Sequence, residues 1–219
     1  MAEKAILTIS SKNYSSWSLR GWLLTKLAGI DFEERYLPPD DPDVRAEILL
    51  LSSSILTPRL EVGEIVAWDT LAIAEVLNEL APEAGLLPDD KVDRAHCRSI
   101  CGEMHSGFTN LRSALPMNIK ADMPKFKIWS RAKADIERIV TIWTECLEKS
   151  GGPFLFGKKP CMADAMYAPV VLRFRTYHVA VPPICEQYCK TILAVPALQE
   201  WINGALTEPD DIDEFEMEF

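Results

Sequence analysis

No two of the six cysteines form a Cys-x-x-Cys pair, and the three histidines complete no familiar zinc spacing. The usual signatures of a redox disulfide and of a structural zinc site are therefore missing, and no metal is expected. Cys97 with Cys101 and Cys185 with Cys189 stand four apart, which on a helix puts both sulfurs on one face, and they read as core thiols of a reducing compartment. No run of about eighteen apolar residues is present to cross a bilayer, and residues 1–4 lack the charged and apolar regions of a signal peptide. A cytoplasmic protein with no membrane partner is the expectation. Basic residues nowhere form a block, and a formal net charge of -10 repels a phosphate backbone, so nucleic acid is not expected as a partner either. Internal repeats and low-complexity tracts are absent.

What is present is a chain of 219 residues, 48% hydrophobic, enough to bury a sizeable core. Its most informative stretch is Asn13-Tyr14-Ser15-Ser16-Trp17-Ser18-Leu19-Arg20. The apolar run Ala5-Ile6-Leu7-Thr8-Ile9 before it reads as a strand. Trp22, Leu23, Leu24, Leu27 and Ile30 after it recur at helical spacing until Gly29 breaks the helix. Hydroxyls at a strand-to-helix junction face free backbone N–H groups and the positive end of a helix dipole, which suits a thiolate, phosphate or carboxylate. The same position equally suits a serine that only caps the helix.

Two further segments narrow the choice. Leu56-Thr57-Pro58-Arg59-Leu60 leads through a turn at Glu61-Val62-Gly63-Glu64 into Ile65-Val66-Ala67-Trp68. Pro58 at the start of a strand can take the cis form, which would leave the backbone of Thr57 facing outward to pair with an extended peptide. Asp69-Thr70 then opens an amphipathic helix through Val76, Leu77 and Leu80. These capping residues also suit an amino acid head group, with its carboxylate on backbone N–H and the Thr70 hydroxyl, and its ammonium on Asp69.

In this order the three segments resemble the N-terminal thioredoxin-like domain of the glutathione transferase superfamily, in its serine-type, zeta-like bacterial branch. The zeta class carries a Ser-Ser-Cys-Ser-Trp-Arg turn where this chain has Ser15-Ser16-Trp17-Ser18-Leu19-Arg20, so Trp17 replaces the cysteine. Thr57-Pro58 falls on the superfamily's Val-Pro pair with its cis-proline, and Asp69-Thr70 on its Glu-Ser or Gln-Ser pair. The resemblance implies Ser15, with Ser16 beside it, as catalytic, and Ser15, Trp17, Thr57, Pro58, Asp69 and Thr70 as the residues holding glutathione, the co-substrate. Ile55-Leu56 stands where the superfamily often has Gly-Lys, leaving Arg20 or Arg45 as candidates for the missing cation.

The second half carries the same resemblance. Phe154-Leu155-Phe156-Gly157 followed by Cys161-Met162-Ala163-Asp164-Ala165 looks like the superfamily's glycine turn and Ser/Thr-x-x-Asp capping box. Cys161 replaces the hydroxyl, so Asp164 is expected to carry most of the cap. The implied fold is α/β plus all-α: a thioredoxin-like glutathione-binding domain over residues 1–81, βαβαββα, with a linker over 82–90 and a glutathione-transferase-type helical bundle over 91–219. Strands are expected over 5–9, 33–36 and in the hairpin around Gly63, and a second helix over 44–51. Further helices are expected over 92–115, 124–149, 162–176, 184–193 and 196–206. The acidic stretch from Glu208 onward reads as a solvated or loosely docked tail.

The implied activity is transfer of glutathione to a small hydrophobic electrophile, or reduction of organic hydroperoxides, by a homodimer. Two alternatives accompany it. One is a glutathione-dependent cis–trans isomerase of an unsaturated diacid, similar to maleylacetoacetate isomerase, with Arg112, Lys120 and Arg173 as candidate diacid ligands. The other is a non-catalytic binding protein of the same fold.

Overall fold

The structure, a computed structural model, describes residues 4–37 and 57–209. The helix expected over 44–51, together with Arg45 and Ile55-Leu56, lies outside the described residues.

A four-stranded mixed sheet forms the N-terminal half: β1 (Ala5–Ile9), β2 (Phe32–Tyr36), β3 (Arg59–Val62) and β4 (Ile65–Trp68), in the order β2-β1-β3-β4. β1 pairs parallel with β2, Leu7 opposite Glu34, and antiparallel with β3, Leu7 opposite Leu60. The β3–β4 hairpin turns at Gly63, whose φ of 59° is the left-handed backbone that such a turn requires. The helices α1 (Ser16–Leu27) and α2 (Thr70–Leu80) pack against each other.

The helix α1 is buried along nearly its whole length, from Ser16 to Thr25, because it lies between the sheet half and the helical half. That explains a sequence apolar on more than one face. Trp22 meets Phe32 of β2 edge-on at 6.2 Å and Trp201 of the helical half at 5.4 Å.

The C-terminal half is all helical: α3 (Lys91–Ser106), α4 (Thr109–Ala114), α5 (Ser130–Ser150), α6 (Met162–Thr176), α7 (Pro183–Leu193) and α8 (Pro196–Thr207). Two expectations are corrected here. The helix read over 92–115 is two helices, because Phe108 adopts a left-handed φ of 54°. The new helix start is held from outside, with the Asp135 carboxylate accepting the Leu111 N–H at 2.8 Å. The helix expected from 124 begins only at Ser130; Met123 instead donates its N–H to the Thr176 carbonyl at the end of α6.

The capping box at the start of α6 is present. Asp164 accepts the Cys161 N–H at 2.9 Å, the Leu155 N–H at 3.2 Å and the Tyr188 hydroxyl at 3.1 Å. One fully buried carboxylate thus ties the glycine turn, α6 and α7 together. All six cysteines are free thiols, five of them buried, and no helix among the described residues is long and apolar enough to cross a membrane.

Candidate active site

The turn between β1 and α1 is built from hydroxyls. Ser11 Oγ accepts the N–H of Asn13 at 3.1 Å and of Tyr14 at 3.2 Å, and the Ser11 carbonyl accepts the Ser15 N–H at 3.0 Å. Ser15 is the N-cap of α1: its Oγ accepts the Ser18 N–H at 3.2 Å and donates to Ser18 Oγ at 2.9 Å. Ser18 Oγ also accepts the Ser10 N–H at 3.0 Å and lies 3.3 Å from Ser10 Oγ, which the Thr57 hydroxyl reaches at 3.4 Å. A relay of hydroxyls therefore runs from Thr57 to Ser15, although the two are far apart in sequence. Ser16, the first helical residue, is 7% exposed.

The Thr57–Pro58 peptide is cis. Pro58 is buried against α1 at Gly21, where a Cβ would lie 2.6 Å from both Cβ and Cγ of the proline ring. Only glycine permits that approach, which holds the Thr57 segment beside the start of α1.

Asp69 caps α2 through Oδ1, which accepts the Leu71 N–H at 2.8 Å, and its backbone has φ 77°. Its second oxygen, Oδ2, lies 2.5 Å from Nε2 of His105 at the end of α3. Thr70 is 1% exposed and its hydroxyl has no hydrogen-bond partner among the described residues.

His105 also packs against Trp17, with ring centroids 5.2 Å apart and planes inclined at 60°. The helical half thus joins Asp69-Thr70 to the serine turn. Sequence spacing tests His105 only as a zinc ligand. Its position four residues after the core Cys101 was the available signal, since that spacing turns it toward the same face of α3.

Two guanidinium groups pack against the Trp17 ring, Arg20 Cζ at 4.5 Å and Arg112 Cζ at 5.3 Å from its centroid. Arg20 is fully buried and donates to the carbonyls of Met166 at 2.8 Å and Ser16 at 3.2 Å, leaving Nη2 unpartnered among the described residues. It is therefore spent inside the protein and does not replace the missing lysine at a ligand carboxylate.

Two of the expected diacid ligands are also committed elsewhere. Arg173 is buried beneath α4, donating to the Leu115 carbonyl at 2.5 Å and the Arg112 carbonyl at 3.3 Å. Lys120 donates to the Glu208 carbonyl at 2.6 Å. Arg112, which like Lys120 is half-buried, lies beside Trp17.

Burial holds the pKa of Arg20 well below the usual guanidinium value, helped by the charges of Arg173 and Arg112. Burial likewise brings Arg173 down to about 10, with Arg112 adding to the drop against the opposing pull of Tyr177. The three guanidiniums share one region, and no carboxylate among the described residues forms an ion pair or hydrogen bond with any of them.

Comparison with known proteins places this arrangement among relatives. Models described as the N-terminal and the C-terminal domain of glutathione S-transferase match residues 14–80 and 126–204 respectively. Maleylacetoacetate isomerase of Rattus norvegicus is 25% identical over 95% of this chain and 96% of its own length. A solved glutathione transferase homologue from Burkholderia, with bound glutathione, superposes with a TM-score of 0.71 at 22% identity, covering 94% of this chain and 99% of the other. Maleylacetoacetate isomerase from Anaeromyxobacter dehalogenans, solved with dicarboxyethyl glutathione and citrate in its active site, gives a TM-score of 0.67 at 23% identity, covering 96% of both chains.

Proposed function

Because the chain belongs to the glutathione S-transferase superfamily, we propose that it is an enzyme that binds glutathione over the turn before α1 and activates the thiol with a serine hydroxyl. The activated thiolate attacks a small hydrophobic electrophile or reduces an organic hydroperoxide. The hydroxyl relay that ends on Ser15 at a helix N-terminus carries this reading.

A free thiol titrates near pH ~8.5, and the thiolate is the nucleophile. A hydroxyl donor to the sulfur, worth roughly 1.5–3 kcal/mol when the acceptor is charged, together with the helix dipole, brings the pKa toward neutrality. Ser15 is arranged to supply that donor. Turning its proton from Ser18 to the sulfur leaves Ser18 Oγ still accepting the Ser10 N–H, and Ser15 Oγ still accepting the Ser18 N–H. No buried group is orphaned by the switch.

In the same pose Thr57, whose backbone makes no hydrogen bond among the described residues, pairs with the peptide by strand addition beside Pro58. Trp17 flanks the bound peptide, Asp69 takes its ammonium, and backbone N–H at the start of α2, with the Thr70 hydroxyl that is unpartnered among the described residues, takes its carboxylate. The test is the ultraviolet difference spectrum of bound glutathione across pH. A depressed thiol pKa supports activation, and its absence supports a non-catalytic binding protein of this fold.

The second reading is the glutathione-dependent isomerase of an unsaturated diacid. The half-exposed Arg112 near two further guanidiniums, none paired with a carboxylate among the described residues, favours an acidic second substrate. Arg112→Ala should lower turnover of a diacid by about tenfold or more while leaving conjugation of a neutral electrophile within about twofold. An equal fall in both would make Arg112 structural. Failure of the wild type to isomerise any cis diacid without consuming glutathione would remove this reading.

A homodimer belongs to the same proposal. The outer strand β4 exposes Ile65, Val66 and Trp68 at 42%, 41% and 38%, an apolar edge that a second copy would cover. Sedimentation at twice the 24.6 kDa chain mass supports it, and sedimentation at the chain mass refutes it. A cytoplasmic location, where buried thiols stay reduced, fits both readings.

A further inference from the structure

We infer that Glu208, at the end of α8, is a positioning residue for the candidate active-site turn: its carboxylate latches the turn and thereby places Ser15. The acidic sequence from Glu208 onward predicts a solvated or loosely docked tail, whereas Glu208 itself is docked. Glu208 Oε1 accepts the Lys12 N–H at 2.6 Å, while Oε2 accepts the Asn13 N–H at 3.0 Å and the Ser11 hydroxyl at 2.8 Å. Two consecutive amides and a hydroxyl converging on one carboxylate form the concave donor set that elsewhere binds free anions, and here the chain supplies the anion itself.

The remaining groups of the turn are also held from the helical half. Trp201 Nε1 donates to the Lys12 carbonyl at 2.9 Å. Asn13 Oδ1 accepts the N–H groups of Ile119 at 2.7 Å and Lys120 at 3.1 Å, and Asn13 Nδ2 donates to Asn118 at 3.1 Å. Lys120 Nζ closes the circuit on the Glu208 carbonyl.

The link to the chemistry passes through Ser11. Because its hydroxyl proton goes to Glu208, its oxygen is free to accept the Asn13 and Tyr14 amides, and its carbonyl accepts the Ser15 N–H. Glu208 therefore acts on Ser15 through one intermediate residue, without touching it. Without the carboxylate, Ser11 loses the acceptor that sets its hydroxyl rotamer, and the Lys12 and Asn13 amides lose theirs. The turn then relaxes, and Ser15 Oγ leaves the position from which it can reach a sulfur. A hydrogen bond to a charged acceptor is steep in distance, so a displacement of about 1 Å costs much of its effect on rate.

The effect on chemistry rests on the proposal that Ser15 activates the thiol; the latch itself does not. Two readouts on the full chain separate them. In Glu208→Ala, the pKa of bound glutathione thiol should rise and kcat/KM fall by about tenfold, carried by kcat, with the KM for the electrophile unchanged. Glu208→Gln, which keeps one acceptor oxygen, should lose less. In parallel, hydrogen–deuterium exchange should accelerate in Glu208→Ala at the amides of Ser15 and Ser18, which Glu208 does not contact.

Wild-type exchange at those two amides overturns the latch, whatever the chemistry. Faster exchange with an unchanged thiol pKa overturns the positioning role. A wild type that shows no bound thiolate refutes the activation reading, and the exchange result still decides the latch. Should Glu208→Ala fail to fold, the same comparisons are made with Glu208→Gln.

Discussion

Ser15→Ala should raise the pKa of enzyme-bound glutathione by about one to two units and lower kcat/KM at pH 7 by roughly 10- to 100-fold, the size of a lost hydrogen bond to a charged acceptor. The loss should shrink as the pH approaches the free-thiol value near ~8.5, because the thiolate then forms without help. Ser15 is also the N-cap of α1, accepting the Ser18 N–H, so the same substitution costs about 1 kcal/mol of stability.

Ser15→Asp separates the two roles. An ionised carboxylate still caps the helix but cannot donate a hydrogen bond, and it repels a thiolate, so folding should persist while activation is lost. A Ser15→Ala enzyme with the wild-type thiol pKa would move the role to Ser16, one residue on and at the same helix start, and Ser16→Ala would be measured in turn.

The largest effect on stability is expected at Asp164. Asp164→Ala leaves the buried N–H groups of Leu155 and Cys161 without an acceptor and the Tyr188 hydroxyl without its partner. The expected cost is about 3–5 kcal/mol, which for a chain of this size lowers the melting temperature by roughly 10 °C or more. A decrease of only a degree or two in a thermal melt would show that the cap is dispensable.

The pH dependence at this residue has a defined sign. Burial raises the Asp164 pKa above its ordinary value despite the hydrogen bonds that oppose the rise. The contribution of its titration to stability is thus full below the unfolded value near ~3.9 and is lost as pH climbs through the raised folded value. Asp164→Asn, which does not titrate, should therefore differ from the wild type more at about pH 3.5 than at pH 7, as measured by urea unfolding at the two values. A gap that grows toward neutral pH would contradict the raised pKa.

Local sequence carried most of the fold. The apolar run at Ala5–Ile9, the breaks at Gly29 and Gly63 and the capping pair Asp69-Thr70 each specify a local conformation through side-chain spacing or allowed dihedrals, and each element stands where that reasoning puts it. Errors arose where distant atoms decided the outcome. The break between α3 and α4 turns on Phe108 in a left-handed conformation and on Asp135 receiving the Leu111 N–H, neither of which has a local signature. The late start of α5 reflects residues that bond to the far end of α6 instead.

The same division runs through the candidate site. Sequence alone determined that hydroxyls gather at a helix N-terminus, that a strand follows Pro58 and that α2 starts at Asp69-Thr70 with Asp69 as its cap, because each depends only on near neighbours in the chain. Tertiary structure decided which side chains meet there. It brought His105 to Asp69 and Trp17, buried Arg20 and Arg173 beneath the helical half, left Arg112 half-exposed, and set the Glu208 carboxylate on the turn nearly two hundred residues before it. Hydrogen bonds and charges act over a few ångströms of space regardless of chain separation, so their partners follow from packing and cannot be read from spacing.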